Sequence, residues 1–420
     1  MNPKLQWTRL DNAAKIFPAT SSVMDPKVFR CTCELYDTIE PDILQKALDD
    51  TMEALPYFRS ILKKGFFWYY LEQSALMPEV VPETKAPCSP IYSRDLHGLL
   101  LEVSYYKTRI NLEIFHALTD GTGALQFLQR LVVAYLRLKY QKTPLDETPL
   151  SGYVRQKLTQ DEYSKYYSKV RLVRQKSPKA YRLKGDRLPQ FRYGVIECVL
   201  SATAFVSLAK TNGATVTEML AALLIQSIHE GMPVSEERKP IVLSIPVNLR
   251  NYFPSKSQRN FFGVILVGHD FSQQGKSFHD ILAHVKQQFA QQLGLDAINA
   301  RMSLLTTIEK SLVSKLIPLL LKSPGLRVGH TFFDRSFTAG LSNLGRMELP
   351  EEFAHHVRLF NVFSSTSKLD VCLCSFQDRM AISFTSSLAS LDTQLHFIQN
   401  LSKLGLDITV DTNLNQPFTE

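Results

Sequence analysis

The stretch Phe115-His-Ala-Leu-Thr-Asp-Gly121 carries the most informative pattern in this chain of 420 residues. The residues from Arg109 to Phe115 alternate in the manner of a β-strand. Apolar residues then recur at spacings of three and four from Ala124 to Leu138, which predicts a long helix that begins just past Asp120. The histidine is therefore expected in a turn between a strand and a helix.

The residue types in this turn suit general acid–base chemistry. Imidazole has a pKa close to neutral pH, so His116 is a candidate proton acceptor. Asp120 follows four residues later across the turn, where it is poorly placed to relay a proton to the same ring, and we expect it to cap the helix or to pair with an arginine. Gly121 allows a tight backbone path that a side chain would obstruct.

Composition and pattern favour a mixed α/β (α+β) protein with two lobes of comparable size. With 45% apolar and 21% charged residues the chain is globular, and its length suits two packed domains. Strict βαβ alternation and the G-x-G-x-x-G motif are both absent, which disfavours an open Rossmann sheet. Beyond the central motif we predict strands at Val28 to Leu35, Phe66 to Leu71, Tyr193 to Leu200, Ile241 to Val247, Phe262 to Val267, Thr338 to Asn343, Leu369 to Phe376 and Met380 to Thr385, and helices at Pro41 to Met52, Thr215 to His229, Phe278 to Leu293, Leu312 to Leu321 and Asp392 to Leu404.

The cysteines and histidines do not predict a metal site. The pairs Cys31/Cys33 and Cys372/Cys374 stand in apolar runs where positions i and i+2 share one strand face, which favours buried thiols over metal ligands. No cluster has the four-ligand spacing of a zinc site. We therefore expect neither a bound metal nor a permanently bound cofactor.

The formal net charge of +8 is concentrated in one segment. Residues 154–192 contain twelve basic and three acidic residues, so the rest of the chain is close to neutral. We predict an exposed basic crossover linker over 154–192, between an N-terminal lobe at 1–153 and a C-terminal lobe at 193–420. This distribution argues against nucleic-acid binding. Two interpretations stay open: a solvated linker, or a contact with an anionic partner such as coenzyme A phosphates, an acidic carrier protein or a membrane surface.

The N-terminal residues lack an apolar signal region, and the apolar stretch from Leu312 to Leu321 is too short to span a bilayer and is interrupted by Lys315 and Pro318. We expect a soluble, cytoplasmic protein and a monomer.

His116-Ala-Leu-Thr-Asp120-Gly121 resembles the HxxxDG signature of the chloramphenicol-acetyltransferase-like superfamily, which includes peptide-synthetase condensation domains, plant BAHD acyltransferases, wax ester synthases and alcohol acetyltransferases. Further segments that match in order and spacing are Leu44-x-x-x-Leu48, Pro56-x-Phe58-Arg59, Ile245-Pro-Val-Asn-Leu-Arg250, Asn260-Phe-Phe-Gly263 and Leu341-Ser-Asn-Leu-Gly345. Together they are most similar to free-standing alcohol-acetyltransferase-like proteins.

The resemblance implies a tunnel between two acyltransferase lobes, with His116 at its centre as general base. It implies transfer of an acyl group from acyl-CoA, as co-substrate, or from an acyl carrier protein to the hydroxyl or amine of a small molecule. It also implies that Asp120 points away from the tunnel and pairs with Arg250. Ser342 and Asn343 resemble the Ser-Asn of wax ester synthases and could stabilise an oxyanion, or could form a polar turn.

Two departures narrow this expectation. Phe115 stands where condensation domains and many wax ester synthases have a first histidine, and the BAHD signature Asp-Phe-Gly-Trp-Gly is absent. The first departure favours ester or simple amide formation over peptide condensation, and the second argues against a plant-type BAHD ester synthesis. The alternative is a non-catalytic acyltransferase-like protein whose tunnel holds a lipid or a carrier arm.

Overall fold

Two large β-sheets with helices packed on them form the framework of the protein. The computed structural model describes residues 7–93, 97–141, 161–166, 179–189, 192–310 and 316–414. The strands are β1 (Trp7–Arg9), β2 (Val28–Leu35), β3 (Ser60–Lys64), β4 (Tyr69–Gln73), β5 (Val80–Pro82), β6 (Leu101–Tyr106), β7 (Arg109–Phe115), β8 (Gly194–Ser201), β9 (Ile241–Asn248), β10 (Phe262–His269), β11 (Ala339–Met347), β12 (Val357–Ser364), β13 (Leu369–Phe376), β14 (Arg379–Ser386) and β15 (Thr409–Thr412).

Helices of very different length connect these strands. They are α1 (Phe17–Thr20), α2 (Pro41–Ala54), α3 (Gly121–Lys139), α4 (Glu162–Lys165), α5 (Ala202–Thr211), α6 (Val216–Glu230), α7 (Phe278–Gln292), α8 (Leu295–Lys310), α9 (Leu319–Asp334), α10 (Glu351–Ala354) and α11 (Asp392–Lys403). Several begin at residues whose side chains accept hydrogen bonds from the first turn. Thr215 with Glu218 and Ser277 with Asp280 form complete capping boxes, which satisfy backbone N–H groups that a helix start leaves unpaired.

The first lobe is built on a five-stranded sheet in the order β12-β2-β7-β6-β5. Its central strand β7 is buried from Ile110 to Phe115, because β2 and β6 flank it in antiparallel register and helices α2 and α3 cover the sheet. A small sheet in the order β1-β4-β3 extends this lobe. The end of β7 thus lies at a rigid, fully packed position.

The second lobe is built on a seven-stranded sheet in the order β10-β9-β11-β13-β14-β8-β15. Its core includes the apolar helix α6, whose residues from Met219 to Ile225 are all buried, with α7 and α11 packed beside it. The prediction of a mixed α/β protein with two sheet-based lobes is confirmed.

Strand β12 belongs to the second half of the chain but to the sheet of the first lobe. Its residues pair antiparallel with β2, with Phe360 opposite Cys33 and Val362 opposite Cys31. The sequence pattern does not reveal this strand, because it is buried on both faces and shows no alternation. The division into residues 1–153 and 193–420 stays a prediction. Any such division has to count β12 with the first lobe, although the strand lies in the second half of the chain.

Several predicted elements differ at their bounds. The aromatic strand predicted at Phe66 to Leu71 begins at Tyr69, because residues 65–68 form the turn between β3 and β4. The helix predicted at Leu312 to Leu321 falls partly outside the described residues, and α9 runs on to Asp334 through Pro324. Most of the predicted basic linker at 154–192 also lies outside the described residues.

All six cysteines are free and buried, with the two C-x-C pairs on β2 and β13. Burial raises the pKa of each of these thiols, which keeps them protonated. Within the described ranges, neither a metal-binding cluster of three or more His, Cys, Asp or Glu nor a helix long and apolar enough to cross a membrane is present.

Candidate active site

His116 lies directly after β7, in the turn that leads into α3. Its backbone N–H donates to the carbonyl of Lys27 at 2.8 Å, and the turn closes with the N–H of Leu118 donating to the carbonyl of Phe115 at 2.9 Å. The imidazole stacks on Phe17 with ring centroids 4.3 Å apart and meets the edge of Phe29 at 5.0 Å. Aromatic packing therefore restricts the ring to one orientation.

A buried chain of polar side chains extends from the histidine. Nδ1 of His116 lies 3.1 Å from Oδ1 of Asn260, and Nδ2 of Asn260 donates to Oδ2 of Asp11 at 3.3 Å. An ionised carboxylate only accepts hydrogen bonds, so Asp11 orients the amide with its oxygen toward the ring. Nδ1 then carries the proton, and Nε2 is the nitrogen left with a free electron pair.

The environment of His116 favours the neutral ring. Burial lowers the pKa of His116 below its usual value of 6.5, against smaller opposing contributions from its own backbone carbonyl and from Asp120. Burial likewise raises the pKa of Asp11 to about 6, although the nearby guanidinium of Arg259 opposes this. At neutral pH the ring is therefore unprotonated at Nε2 while Asp11 is ionised, which is the state that a general base requires.

Asp120 contacts the second half of the chain rather than the histidine. Its Oδ1 accepts from the N–H of Gly123 at 3.0 Å, so it caps α3. Its Oδ2 accepts from the N–H of Phe261 and from Nη1 of Arg250, each at 2.8 Å. Arg250 also donates to the carbonyl of Ser257 at 3.0 Å. The structure thus brings Asp120 and Arg250 together in a buried ion pair that ties the histidine turn to the other lobe.

The glycines after Asp120 mark close approaches of the backbone. A Cβ atom on Gly121 would meet only the end of the Leu344 side chain, whereas one on Gly123 would meet the backbone carbonyl of Gln258 and the hydroxyl of Thr119. A backbone carbonyl cannot turn aside as a side chain can. The tightest contact therefore occurs at Gly123, two residues beyond the position that the sequence pattern indicates.

A cavity of about 580 Å³ lies between the lobes, with His116 in its wall. The first lobe contributes Phe29, His116, Gly121, Thr122, Val362 and Ser364, and the second contributes Thr217, Ile245, Asn248, Phe289, Ser342 and Cys372. Its lining is mostly apolar with a few polar groups, as in small-molecule sites generally. Asp120 touches its edge, but the three hydrogen bonds described above occupy its carboxylate.

Ser342 and Asn343 lie on β11 and both line this cavity. The amide of Asn343 is held in place, because Nδ2 donates to Oγ1 of Thr217 and Oδ1 accepts from the N–H of Gly345, each at 2.9 Å. Ser342 lies beside Cys372 in the parallel β11–β13 pairing. The Ser342 hydroxyl forms a side-chain hydrogen bond with the Cys372 thiol, which is a weak partner that a substrate oxygen can replace.

A second cavity of about 520 Å³ adjoins the first and shares Asn343, Gly345 and Arg346 with it. It lies between α5 and the ends of β11 and β13, and its lining includes the cations Lys210 and Arg346. Both side chains are exposed, and neither forms an ion pair within the part of the chain that the structure describes. This cavity can therefore receive an anionic extension of a ligand bound in the first.

Asn260 and Asp11 are the site residues that sequence reasoning missed. The segment beginning at Asn260 matches a motif to which the sequence assigns no role, and Asp11 lies in an N-terminal stretch with no matching motif. One signal was present: three charged or polar residues, Gln258, Arg259 and Asn260, precede a Phe-Phe pair, and polar residues that are buried must find partners.

No protein-family model matches the sequence, and no curated protein matches it. Solved structures do match in fold. TRI101 of F. sporotrichioides, solved with coenzyme A and T-2, is 12% identical with a TM-score of 0.62, over 96% of this chain and 99% of that one. Polyketide synthase associated protein 5 from Mycobacterium tuberculosis is 13% identical with a TM-score of 0.59, over 94% and 97%. The starter condensation domain of rhizomide synthetase RzmA, solved as a mutant with C8-CoA and Leu-SNAC, is 12% identical with a TM-score of 0.59, over 95% and 94%.

At these identities the likeness establishes the fold. The chain shares the two-lobed fold of these structures over nearly its whole length. The structures of this fold include acyltransferases, and some were solved with coenzyme A or an acyl-CoA.

Proposed function

We propose that this protein transfers an acyl group from acyl-CoA to the hydroxyl or amine of a small acceptor, with His116 as general base. The observation that carries the proposal is the orientation of this ring. The pair Asn260 and Asp11 holds the proton on Nδ1, which leaves Nε2 as a proton acceptor in the wall of the cavity between the lobes. A histidine with only a packing role does not need a buried polar chain to set its tautomer.

The reaction that this geometry supports has two steps. Nε2 accepts the proton of the acceptor as its oxygen or nitrogen attacks the thioester carbonyl carbon, and the carbonyl oxygen becomes an oxyanion. The tetrahedral intermediate then breaks its carbon–sulfur bond, and the leaving thiolate takes the proton back from the imidazolium. The thioester is already activated, so the protein has to supply a base and orientation but no covalent nucleophile.

The oxyanion needs a hydrogen-bond donor at its final position. Ser342 is our candidate, with Asn343 holding the strand end through its bonds to Thr217 and Gly345. One such donor typically contributes a factor of roughly 10²–10³ in rate. Asp120 and Arg250 act at a distance from the chemistry, as the anchor of the turn that presents His116.

The adjoining cavity supports coenzyme A as the carrier of the acyl group. Lys210 and Arg346 would meet the phosphates there, and fixed cations suit phosphate groups. An acyl carrier protein would present the same thioester on a protein surface and would need these cations less.

Phe115 replaces the first of two adjacent histidines, and its ring packs on Tyr92 in the core with centroids 4.8 Å apart. This replacement supports an alcohol-acetyltransferase-like reaction over peptide condensation.

Release of free thiol from acetyl-CoA in the presence of a panel of alcohols and amines tests the proposal. We expect acceptor-dependent release, and a loss of roughly 10²–10⁴-fold in His116→Ala. His97→Ala, at an exposed histidine, is the matched control and should leave the rate unchanged. Equal release by the wild type and a folded His116→Ala would refute the role of the base. If mass spectrometry detects an acyl ligand that stays bound to the protein while no thiol is released, the result favours the alternative of a non-catalytic binding protein.

A further inference from the structure

Exposed aromatic residues form the tip of the hairpin between β3 and β4. Phe66 exposes 72% and Phe67 exposes 42% of its surface, and Trp68 follows them. We call residues 66–68 the aromatic tip. Helix α9 starts against it: the N–H of Leu319 donates to the carbonyl of Phe66 at 2.9 Å. The tip and the helix therefore form one continuous surface.

Helix α9 exposes most of its large apolar side chains, which is unusual for a helix of a globular protein. Its outer face carries Leu320, Val328 and Phe332 at spacings of eight and four, with Pro324 between the first two, and these three apolar residues are 70%, 56% and 66% exposed. Its only buried residue is Leu319. At 1.5 Å per residue, its 16 residues span roughly 24 Å. The usual amphipathic pattern places large apolar residues toward the core, so an outward apolar stripe of this length indicates a contact with something else.

Basic residues predominate on this surface, and the nearest carboxylates, Glu72 and Asp334, lie at its margins in ion pairs with Lys63 and Lys368. Residues 60–71 and 316–333 contain no Asp or Glu, while they contribute Lys63, Lys64, Lys322 and Arg327. Lys322 lies over the Trp68 ring with Nζ 3.5 Å from its centroid. Tryptophan with adjacent lysine is the combination that proteins use at the boundary between lipid and water, because the ring is apolar at one side and polar at the other.

We propose that the aromatic tip and the outer face of α9 dock on a membrane surface that contains anionic lipids. Apolar side chains enter the boundary between headgroups and acyl chains, and lysine and arginine at the same level attract the headgroups. This occupant satisfies both properties of the surface, whereas a second copy of the chain would place like charges against each other. The contact is peripheral, on the surface of the bilayer.

The docking surface is close to the candidate active site. Nε of Arg327 in α9 donates to the carbonyl of Ala19 at 2.9 Å, and Phe17 of the same short helix α1 stacks on the His116 ring. If the proposed acyl transfer holds, a lipophilic acceptor can reach the base from the membrane without crossing water. This consequence rests on the proposed function, whereas the docking itself does not.

Sedimentation with vesicles tests the docking independently of activity. The full chain is mixed with vesicles of phosphatidylcholine alone or of phosphatidylcholine with phosphatidylserine. The test variant is Phe66→Ser with Leu320→Ser, at two exposed positions where folding does not depend on the side chain. The matched control is Val234→Ser, since Val234 is 81% exposed and lies on the other lobe. Lys64→Gln with Lys322→Gln tests the charge.

We expect wild type and Val234→Ser to bind the phosphatidylserine vesicles, less well as salt is raised. The double serine variant should bind roughly tenfold to hundredfold more weakly, from the apolar area lost, and the double glutamine variant should lose its preference for the anionic lipid. Absence of binding by wild type, or equal binding by the serine variant, overturns the proposal. A dimer in light scattering that the serine variant disrupts, without vesicle binding, overturns it in favour of a contact between copies.

Discussion

Asp120→Asn separates an anchoring role for Asp120 from a chemical one. In the folded protein its carboxylate receives three hydrogen bonds at 2.8–3.0 Å, from the N–H groups of Gly123 and Phe261 and from the guanidinium of Arg250. The side chains of Asp120 and Arg250 are only 7% and 9% exposed. Asparagine keeps an acceptor for the helix cap, but it leaves the cation of Arg250 buried without a charge to balance it.

The expected cost follows from these contacts. Removing one partner of a buried ion pair costs about 3–5 kcal/mol, and a lost acceptor for a buried N–H costs about 1–3 kcal/mol. Asparagine retains part of this set, so we expect Asp120→Asn to lower the free energy of unfolding by about 3 kcal/mol and Asp120→Ala by somewhat more. Against a typical total of about 5–15 kcal/mol, this loss is readily measured.

Urea unfolding followed by circular dichroism measures this cost, with Asp42→Asn at an exposed position of α2 as the control that should change stability by less than about 0.5 kcal/mol. A double-mutant cycle with Arg250→Gln should then show that the two losses are not additive. The reasoning is refuted if Asp120→Asn unfolds at the wild-type urea concentration while thiol release is lost. That pattern would assign Asp120 a direct part in the reaction.

The polar chain at His116, the backbone approach at Gly123 and the cations of the adjoining cavity each make a testable prediction. Activity requires neutral His116 and ionised Asp11, and burial lowers the pKa of His116 and raises that of Asp11 to about 6. We therefore expect log kcat/KM to fall as the pH drops through about 6, with a slope that approaches two only below both pKa values. Asp11→Asn should reduce kcat and return the slope to one, and an unchanged profile would contradict the role of the polar chain. Gly123→Ala should lower the free energy of unfolding by about 1–3 kcal/mol, because its Cβ meets a backbone carbonyl, whereas Gly121→Ala should cost less; equal costs in urea unfolding would be inconsistent with the packing. Arg346→Glu with Lys210→Glu should raise KM for acetyl-CoA severalfold and leave kcat nearly constant; an unaffected KM would exclude this cavity as the phosphate site.

The local sequence pattern predicts those helices and strands whose buried and exposed positions alternate with a regular period. The helix after Asp120 and the capped helix from Val216 to Glu230 follow from their periodicity and capping residues. Strand β12 does not, because both its faces are buried and its partner β2 lies more than 300 residues away in sequence. Pairing over such a distance is a property of the tertiary fold, which leaves no local signal.

The residues of the candidate site likewise include some that the sequence predicts and some that it does not. The position of His116 in a strand-to-helix turn follows from flanking periodicity, and the approach of Arg250 to Asp120 is implied by a resemblance and shown by a 2.8 Å contact. Asn260 and Asp11 could not be assigned, because the role of a polar side chain depends on which groups surround it once it is buried. The fold buries Asn260 and Asp11 side by side, although they are far apart in the sequence.

The placement of β12 also bears on the order in which the chain folds as it is synthesised. Strand β2 emerges from the ribosome more than 300 residues before β12, the neighbour that covers one of its edges. The N–H of Val28 likewise finds its partner, the hydroxyl of Ser365, 337 residues further along the chain. Until then the first sheet carries an open edge on a strand of buried residues, the type of edge on which chains associate wrongly. Completion of this sheet requires most of the second half of the chain, so we expect the two lobes to finish folding together rather than one after the other.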